Sequence, residues 1–416
     1  MGKAHVLGGT QAAGLGSDDV SLPAPPPASM RSPGQAGDDL ARLRGLHVAH
    51  LIETDGPGGA ERILVQMITE LQAAGCHNLV VLPTGAEGWI SRQLAGTGAT
   101  VEYFQLDRPL SPDCARWLIT LLRRHRVAIA HSHEFTMAVY GAWAAWRAGV
   151  PHVVTMHGGL YYARRLRRRL ALRFAFALTP RIVAVSRVLA RQLHRDLWIP
   201  ASRILTVYNG IRNVPAQPSN LRADLRLGPQ ERLLLAVGNL YPVKGHRHAI
   251  EALALLQQDQ PRAHLAIAGR GETAEALRRQ ARDLGVGDRV HLLGLRGDIP
   301  NLLGGADVFV LPSLSEGLPV ALLEAMSAGC AIVASDVGDV RTVLDDGRAG
   351  VLVPPGDARA LAVAVDGLLR TPDRARELAA WAQRRAVQEY DVARMVARYA
   401  AIYGELLAQR VRIPAA

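Results

Sequence analysis

Along most of the chain, short apolar runs alternate with stretches that place apolar residues every three or four positions, and this alternation leaves few folds open. Leu46–Ile52, Leu79–Leu82, Val101–Phe104, Ala128–Ser132 and Val153–Met156 read as buried strands in the first half. Leu233 opens a second series, continued by His264–Gly271, Val290–Gly294, Val308–Leu311, Ala331–Ser335 and Gly350–Pro354. Strands that are apolar along their length and separated by helical stretches belong in a parallel sheet covered on both faces. At 416 residues the chain is long enough for two such units, each with its own core. Between them, 213–229 carries Pro215, Pro218, Asn220 and Gly228 and reads as a linker. The expected organisation is α/β: two Rossmann-like, doubly wound domains over 45–212 and 230–390, then a helical segment over 391–416.

The flanks and the cysteines narrow the class. Residues 1–44 are rich in Gly, Pro, Ala and Ser, with P-A-P-P-P-A-S at Pro23–Ser29. Such a composition cannot bury a core, so a disordered leader is expected, and Met30 offers an alternative start. No run approaches the ~20 apolar residues of a membrane span; Leu170–Leu178 is short and carries Arg173. A basic-then-apolar signal pattern is missing from the N-terminus. Cys76, Cys114 and Cys330 are scattered without a C-x-x-C, which indicates neither a zinc site nor a disulfide framework. The expectation is a cytoplasmic protein with reduced thiols.

Charge is placed unevenly. The net +11 divides into +10 over residues 1–212 (24 basic, 14 acidic) and +1 over 213–416 (24 basic, 23 acidic). Between Phe135 and Arg195 there are eleven arginines and no acid. Such a surface suits nucleic acid or an anionic membrane. The arginines do not alternate with aromatics as in an RNA-binding module, so no nucleic acid partner is expected. Tyr161–Leu178 reads as an amphipathic helix, with Leu166, Leu170 and Phe174 every four residues among Arg164, Arg165, Arg168 and Arg169. One reading is a core-facing helix with a solvated basic side. The other is a helix lying on anionic lipid, where each cation is worth ~1 kcal/mol near the surface.

Several motifs carry chemistry. The loop E-T-D-G-P-G-G-A-E-R leads from the first strand into a helix over about Ala60–Ala74, with Ile63, Met67 and Leu71 on one face. Free N–H groups at such a helix start can receive an anion. It fails as a dinucleotide fingerprint because Glu61 occupies the last glycine position, and a plain tight turn accounts for it equally well. V-A-I-A-H-S-H and T-M-H-G-G each end a strand on histidine, placing His131, His133 and His157 at carboxyl strand ends, where ligands sit in open parallel sheets. No fourth ligand is spaced for a metal, and none is expected. Lys244 is the only lysine after Lys3, among 46 arginines, and is suited to reach a phosphate as a compact charge. In P-S-L-S-E-G-L-P-V-A-L-L-E-A-M-S-A-G, Pro312 closes a strand and a helix runs from Pro319 through Val320, Leu323 and Met326 to Gly329. Glu316 then sits at the helix entrance and Glu324 inside the helix, either as a solvated carboxylate or as a buried one that needs a partner.

S-E-G-L-P-x-A-L-L-E-A-M resembles the signature of family 4 of the retaining glycosyltransferases. The resemblance extends in order from Leu46 to Tyr403 through G-G-A-E-R, T-M-H-G, I-V-A-V-S at Ile182, V-Y-N-G-I at Val207, V-G-N-L-Y-P-V-K-G, and V-H-L-L-G followed by D-I-P-N-L-L. It implies the GT-B architecture, two Rossmann-like domains facing each other across a cleft, with a nucleotide diphosphate sugar bound mainly by the second. The implied reaction is transfer of the sugar to a hydroxyl acceptor with retention, and with no metal or other cofactor. Glu324 would bind the ribose hydroxyls, and Glu316 a donor-sugar hydroxyl, helped by the backbone of Gly317, Leu318 and Pro319. Lys244 and the Gly58–Gly59 loop would stabilise the leaving diphosphate, and His157 would orient donor sugar and acceptor. His131 and His133 would lie on the acceptor side, together with Arg164, Arg165, Arg168 and Arg169. The V-H-L-L-G stretch would receive the base through backbone groups, and the final helix, Val392–Leu407, would cross back to the first domain. Asn239 stands where the family carries an arginine, which removes a bidentate phosphate contact from the donor site. The basic first domain adds the expectation of a lipid-linked acceptor, an intermediate of a cell-surface polysaccharide, met at the inner face of the plasma membrane. A GT-B epimerase or phosphorylase, or a non-catalytic binding protein that kept the fold, are the other readings.

Overall fold

The computed structural model describes residues 40–85, 88–106, 111–158 and 165–411. Its first sheet has seven parallel strands: β1 (His47–Leu51), β2 (His77–Pro83), β3 (Thr100–Phe104), β4 (Ile129–His133), β5 (His152–Met156), β6 (Arg181–Ala184) and β7 (Ile204–Thr206), in the order 3-2-1-4-5-6-7. The second has six: β8 (Arg232–Val237), β9 (Ala263–Ala268), β10 (Val290–Gly294), β11 (Val308–Leu311), β12 (Ala331–Ser335) and β13 (Val351–Val353), in the order 10-9-8-11-12-13. Every residue of β4, β5, β11 and β12 is buried, which is why β11 and β12 read as nearly continuous apolar runs, while β4 and β5 also bury His131, His133, His152 and Thr155. The strand order reverses at β1/β4 and again at β8/β11, and the crevices beyond the carboxyl ends of those strands are where such sheets bind ligands.

The chain crosses between the domains twice, and the two crossings are joined. The Ile211 N–H donates to Tyr390 O at 2.8 Å and the Val392 N–H to Ile211 O at 3.0 Å. The V-Y-N-G-I landmark is this junction and not a strand; β7 lies just before it. From the same segment the Tyr208 hydroxyl donates to Asp339 Oδ2 at 2.9 Å and the Asn209 amide to Leu318 O at 3.3 Å. Asp339 also accepts from the backbone N–H groups of Arg187 and Val188, so a second-domain carboxylate caps the first-domain helix Arg187–Leu197. Helix Val392–Val411 returns to the first domain, where the Tyr403 side chain is fully buried.

Three expectations are corrected. Residues 1–39 lie outside the described residues, but Leu43, expected in the leader, is fully buried in the first core and its carbonyl accepts from Cys76 Sγ. The linker is not free chain throughout: Leu221–Asp224 is helical, with Leu221 buried against helix Ile299–Gly305. The basic helix runs over Leu166–Leu178, and its apolar stripe does not face the core. Leu166, Leu170 and Phe174 are 69%, 57% and 57% exposed, whereas Leu172, Ala175 and Phe176 are fully buried. At about 100° per residue the two sets fall on opposite sides of the helix. Among the described residues, no helix is long and apolar enough to cross a membrane.

Candidate active site

The second-domain wall is built from the ends of β8 and β11. After β8 the chain turns through Pro242–Lys244 into Gly245, whose φ of +63° is left-handed and where a Cβ would collide with the carbonyl oxygen of Pro312. That approach lays Lys244 against the loop after β11. Lys244 Nζ donates to both oxygens of Glu316, at 2.8 and 2.9 Å, and the Ser313 hydroxyl adds a third bond at 2.7 Å. The Glu316 side chain is only 6% exposed, so it depends on these donors.

Helix Val320–Ser327 follows, with Pro319 at its N-cap. It is buried nearly all round through Val320, Leu322, Leu323, Ala325 and Met326, so no broad solvated face is left for Glu324. Burial raises the Glu324 pKa, and the nearby Arg62 opposes the rise. The solvated-carboxylate reading is therefore set aside: Glu324 is paired, through Oε1, with Arg62 Nη1 at 3.1 Å.

Arg62 comes from the other wall, on the first turn of helix Gly59–Ala73. Gly58 is its N-cap residue, and the Glu61 carboxyl folds back over Gly58, interacting with its own N–H and with Thr54. One donor at this helix start is thus taken by the chain itself. Gly58, Gly59, Arg62, Asn239, Lys244, Arg296, Pro319 and both glutamates line one cavity of about 130 Å³. Small-molecule sites span roughly 300–1,000 Å³, so in this conformation the cavity is smaller than an ordinary ligand site. A larger cavity of about 320 Å³, bordered by Arg232, Val308 and Ala331, lies at the amino ends of β8, β11 and β12, the wrong end of the sheet for a ligand site.

His157 follows β5 at the rim of the first domain. Its backbone N–H donates to Glu134 Oε1 at 2.9 Å, and its Nε2 is 3.1 Å from His133 Nδ1. A Cβ on Gly317 would lie 2.6 Å from the His157 carbonyl oxygen, so the Glu316 loop of the second domain meets the His157 segment of the first. Burial lowers the His157 pKa to about 4. Near pH 7 the ring is neutral and serves as a hydrogen-bonding group.

His131 and His133 are fully buried and cannot face an acceptor; they pack behind His157, their rings tilted with centroids 4.2 Å apart. His131 places Nδ1 2.7 Å from the Tyr403 hydroxyl and Nε2 2.7 Å from Thr155 Oγ1. One nitrogen each from His50, His131 and His133 lies within 4.8 Å of the others, but ligation by His131 would cost one of those hydroxyl contacts. Of the four arginines near the basic helix, Arg164 lies outside the described residues. Arg165 is exposed, Arg168 lies over the Phe135 ring, and Arg169 donates to Asp196 O at 2.7 Å.

Arg62, Glu134 and Tyr403 were not singled out from the sequence. Arg62 closes the G-G-A-E-R motif, and its position there is the local signal for it. Glu134 is the polar residue right after β4 and holds a φ of +63°, uncommon outside glycine. Tyr403 sits 272 positions from His131, and no local pattern announces it.

Two family models match the chain in succession: "Glycosyltransferase Family 4" over residues 57–212 and "Glycosyl transferases group 1" over 219–385. The chain is 30% identical over 270 residues (62% of it and 69% of the relative) to the UDP-Gal:alpha-D-GlcNAc-diphosphoundecaprenol alpha-1,3-galactosyltransferase of Escherichia coli. To the phosphatidyl-myo-inositol mannosyltransferase of Mycobacterium leprae it is 30% identical over 354 residues, 81% of this chain and 90% of that one. Among solved structures it is similar to HepE of Anabaena in complex with UDP-glucose, with a TM-score of 0.76 and 25% identity over 88% of this chain and all of that one. WaaG, a glycosyltransferase of lipopolysaccharide biosynthesis, shares the fold with a TM-score of 0.68 at 19% identity, covering 86% of this chain and 99% of that one.

Proposed function

The chain belongs to the group 1 and family 4 glycosyltransferases and has their GT-B fold, and on that premise we propose that it moves a sugar from a nucleotide diphosphate sugar to a hydroxyl of a lipid-linked glycan, with retention and without a metal ion. The observation that carries this reading is the single cavity that joins Lys244, Glu316, Glu324 and the Gly58–Gly59 helix start, with His157 beside the Glu316 loop. In it, Glu324 accepts from the ribose hydroxyls and Glu316 from a donor-sugar hydroxyl. Lys244 and the backbone N–H groups take up the charge that develops on the departing diphosphate. The anomeric C–O bond to the diphosphate breaks, and the acceptor oxygen bonds to the anomeric carbon on the same face. The acceptor proton leaves with the departing phosphate oxygen. Neutral His157 orients donor sugar and acceptor. Glu316 and Glu324 are not the two-carboxylate device of a glycosidase, because only Glu316 meets the sugar.

The test is incubation of the protein with labelled nucleotide sugars and a lipid extract. Label should move into the lipid fraction, and excess EDTA should leave the rate within about twofold, since preorganised donors replace the metal's charge. Loss of activity in EDTA, restored by magnesium or manganese, would contradict the metal-free mechanism. An epimerised nucleotide sugar formed without acceptor would make this an epimerase, and no turnover in any mixture a binding protein.

A membrane-borne acceptor is supported by the exposed Leu166, Leu170 and Phe174 stripe within the acid-free segment, extended by Trp198, 70% exposed, with Arg173 over its ring. The names of the Escherichia coli and Mycobacterium leprae relatives describe lipid-borne acceptors. Apolar side chains flanked by arginines are the two components of interfacial binding. The chain should therefore co-sediment with vesicles containing anionic lipid at low salt and be released as salt rises. A variant combining Arg165→Gln, Arg168→Gln, Leu170→Ser and Phe174→Ser should stay in the supernatant. Equal recovery of both proteins in the supernatant would assign the stripe another purpose.

A further inference from the structure

The second-domain wall of the pocket presents the neutral side chain of Asn239, and the facing wall presents a guanidinium. Two arginines line the cavity, Arg62 and Arg296. Arg296 is committed: its Nε and Nη2 donate to the two Asp298 oxygens at 2.7 and 2.6 Å. That pair depresses the Asp298 pKa well below the carboxylate range. Arg62 is held more loosely, by Nη1 to one oxygen of Glu324 at 3.1 Å and by a long 3.5 Å contact to Arg296 O. It shares the cavity with Lys244 and Asn239, and its side chain is 21% exposed, so it is neither locked in the core nor adrift on the surface.

We infer that Arg62, from the first domain, is the guanidinium ligand of the donor diphosphate in this chain, taking over the contact that Asn239 cannot make. The inference rests on the nucleotide-sugar reading above. The charges exchange in pairs. In this structure Lys244 neutralises Glu316, and Arg62 neutralises Glu324. A donor that gives its ribose hydroxyls to Glu324 and its sugar hydroxyl to Glu316 replaces both partners and delivers two phosphate charges to Lys244 and Arg62. A planar guanidinium fork matches phosphate oxygens bidentately, which a lysine cannot do. Because Arg62 stands on helix Gly59–Ala73 and Lys244 on the loop after β8, the diphosphate would bridge the two domains. Donor binding and cleft closure would then be one event.

The experiment measures binding of UDP, GDP and ADP, and of uridine, guanosine and adenosine, to the parent, Arg62→Ala, Asn239→Arg and the double variant. Calorimetry serves the diphosphates and ligand-detected NMR the nucleosides. For the diphosphate the parent prefers, Arg62→Ala should weaken binding roughly tenfold or more, the effect of losing a charge-assisted contact. The matching nucleoside, with no phosphate to lose, should bind equally or more tightly, because Glu324 is released. Adding Asn239→Arg to Arg62→Ala should recover most of the diphosphate affinity. If Arg62→Ala leaves diphosphate affinity unchanged or raises it along with that of the nucleoside, Arg62 only screens Glu324 and the inference fails while the donor reading stands. A parent that binds none of the diphosphates overturns both.

Discussion

Replacing Lys244 with alanine is expected to lower turnover on the order of 10²-fold, the scale of removing one preorganised donor from a developing oxyanion. Lys244 is firmly positioned in the cavity: Gly245 fixes its loop against Pro312, and both Glu316 oxygens hold its ammonium group. The substitution also strips the nearly buried Glu316 of its only cation among the described residues, leaving the Ser313 hydroxyl as donor. Nucleotide affinity should fall less than the rate, because the ribose contact to Glu324 remains. Lys244→Arg should recover part of the rate, since the charge is kept while the compact ammonium geometry is not. Single-turnover transfer with the parent and the two variants reads this directly. A Lys244→Ala rate within about threefold of the parent would take the leaving-group role away from this residue.

What the sequence made legible was local. Strand β11 was visible because it is fully buried and apolar throughout, and β8 and β12 because most of their buried residues form one apolar run, whereas buried histidines interrupt the pattern in β1 and β4. The helix after Pro319 was visible because its capping proline and terminal glycine bracket an apolar run. The separate placement of Lys244 in a glycine turn, Glu316 at a helix entrance and Glu324 inside that helix followed from the same punctuation. Contacts between distant segments were not legible: Arg62 meets Glu324 across 262 positions and His131 meets Tyr403 across 272. Both depend on how two sheets and a returning helix pack.

The basic helix shows a different limit. Spacing of four residues finds the stripe Leu166–Leu170–Phe174, but Leu172, Ala175 and Phe176 form a second apolar face. Only packing decides which of the two the core takes. The histidines are a third case. Their position at strand ends was readable, yet the division of labour between a rim ring, His157, and two buried supports, His131 and His133, rests on Thr155, Tyr399 and Tyr403.

In the proposed mechanism the nucleotide is held above all by Glu324 as the ribose acceptor, and calorimetric titration of the parent and Glu324→Gln with nucleoside diphosphates reads that contact. The substitution removes one negative charge from a pocket that is to receive a diphosphate, and it releases Arg62. On electrostatics alone, binding should therefore tighten. Loss of the charged acceptor for the ribose hydroxyls costs about 1.5–3 kcal/mol, so binding should instead weaken roughly tenfold or more in a folded variant. Unchanged or tighter binding by Glu324→Gln would contradict that contact and place the nucleotide elsewhere.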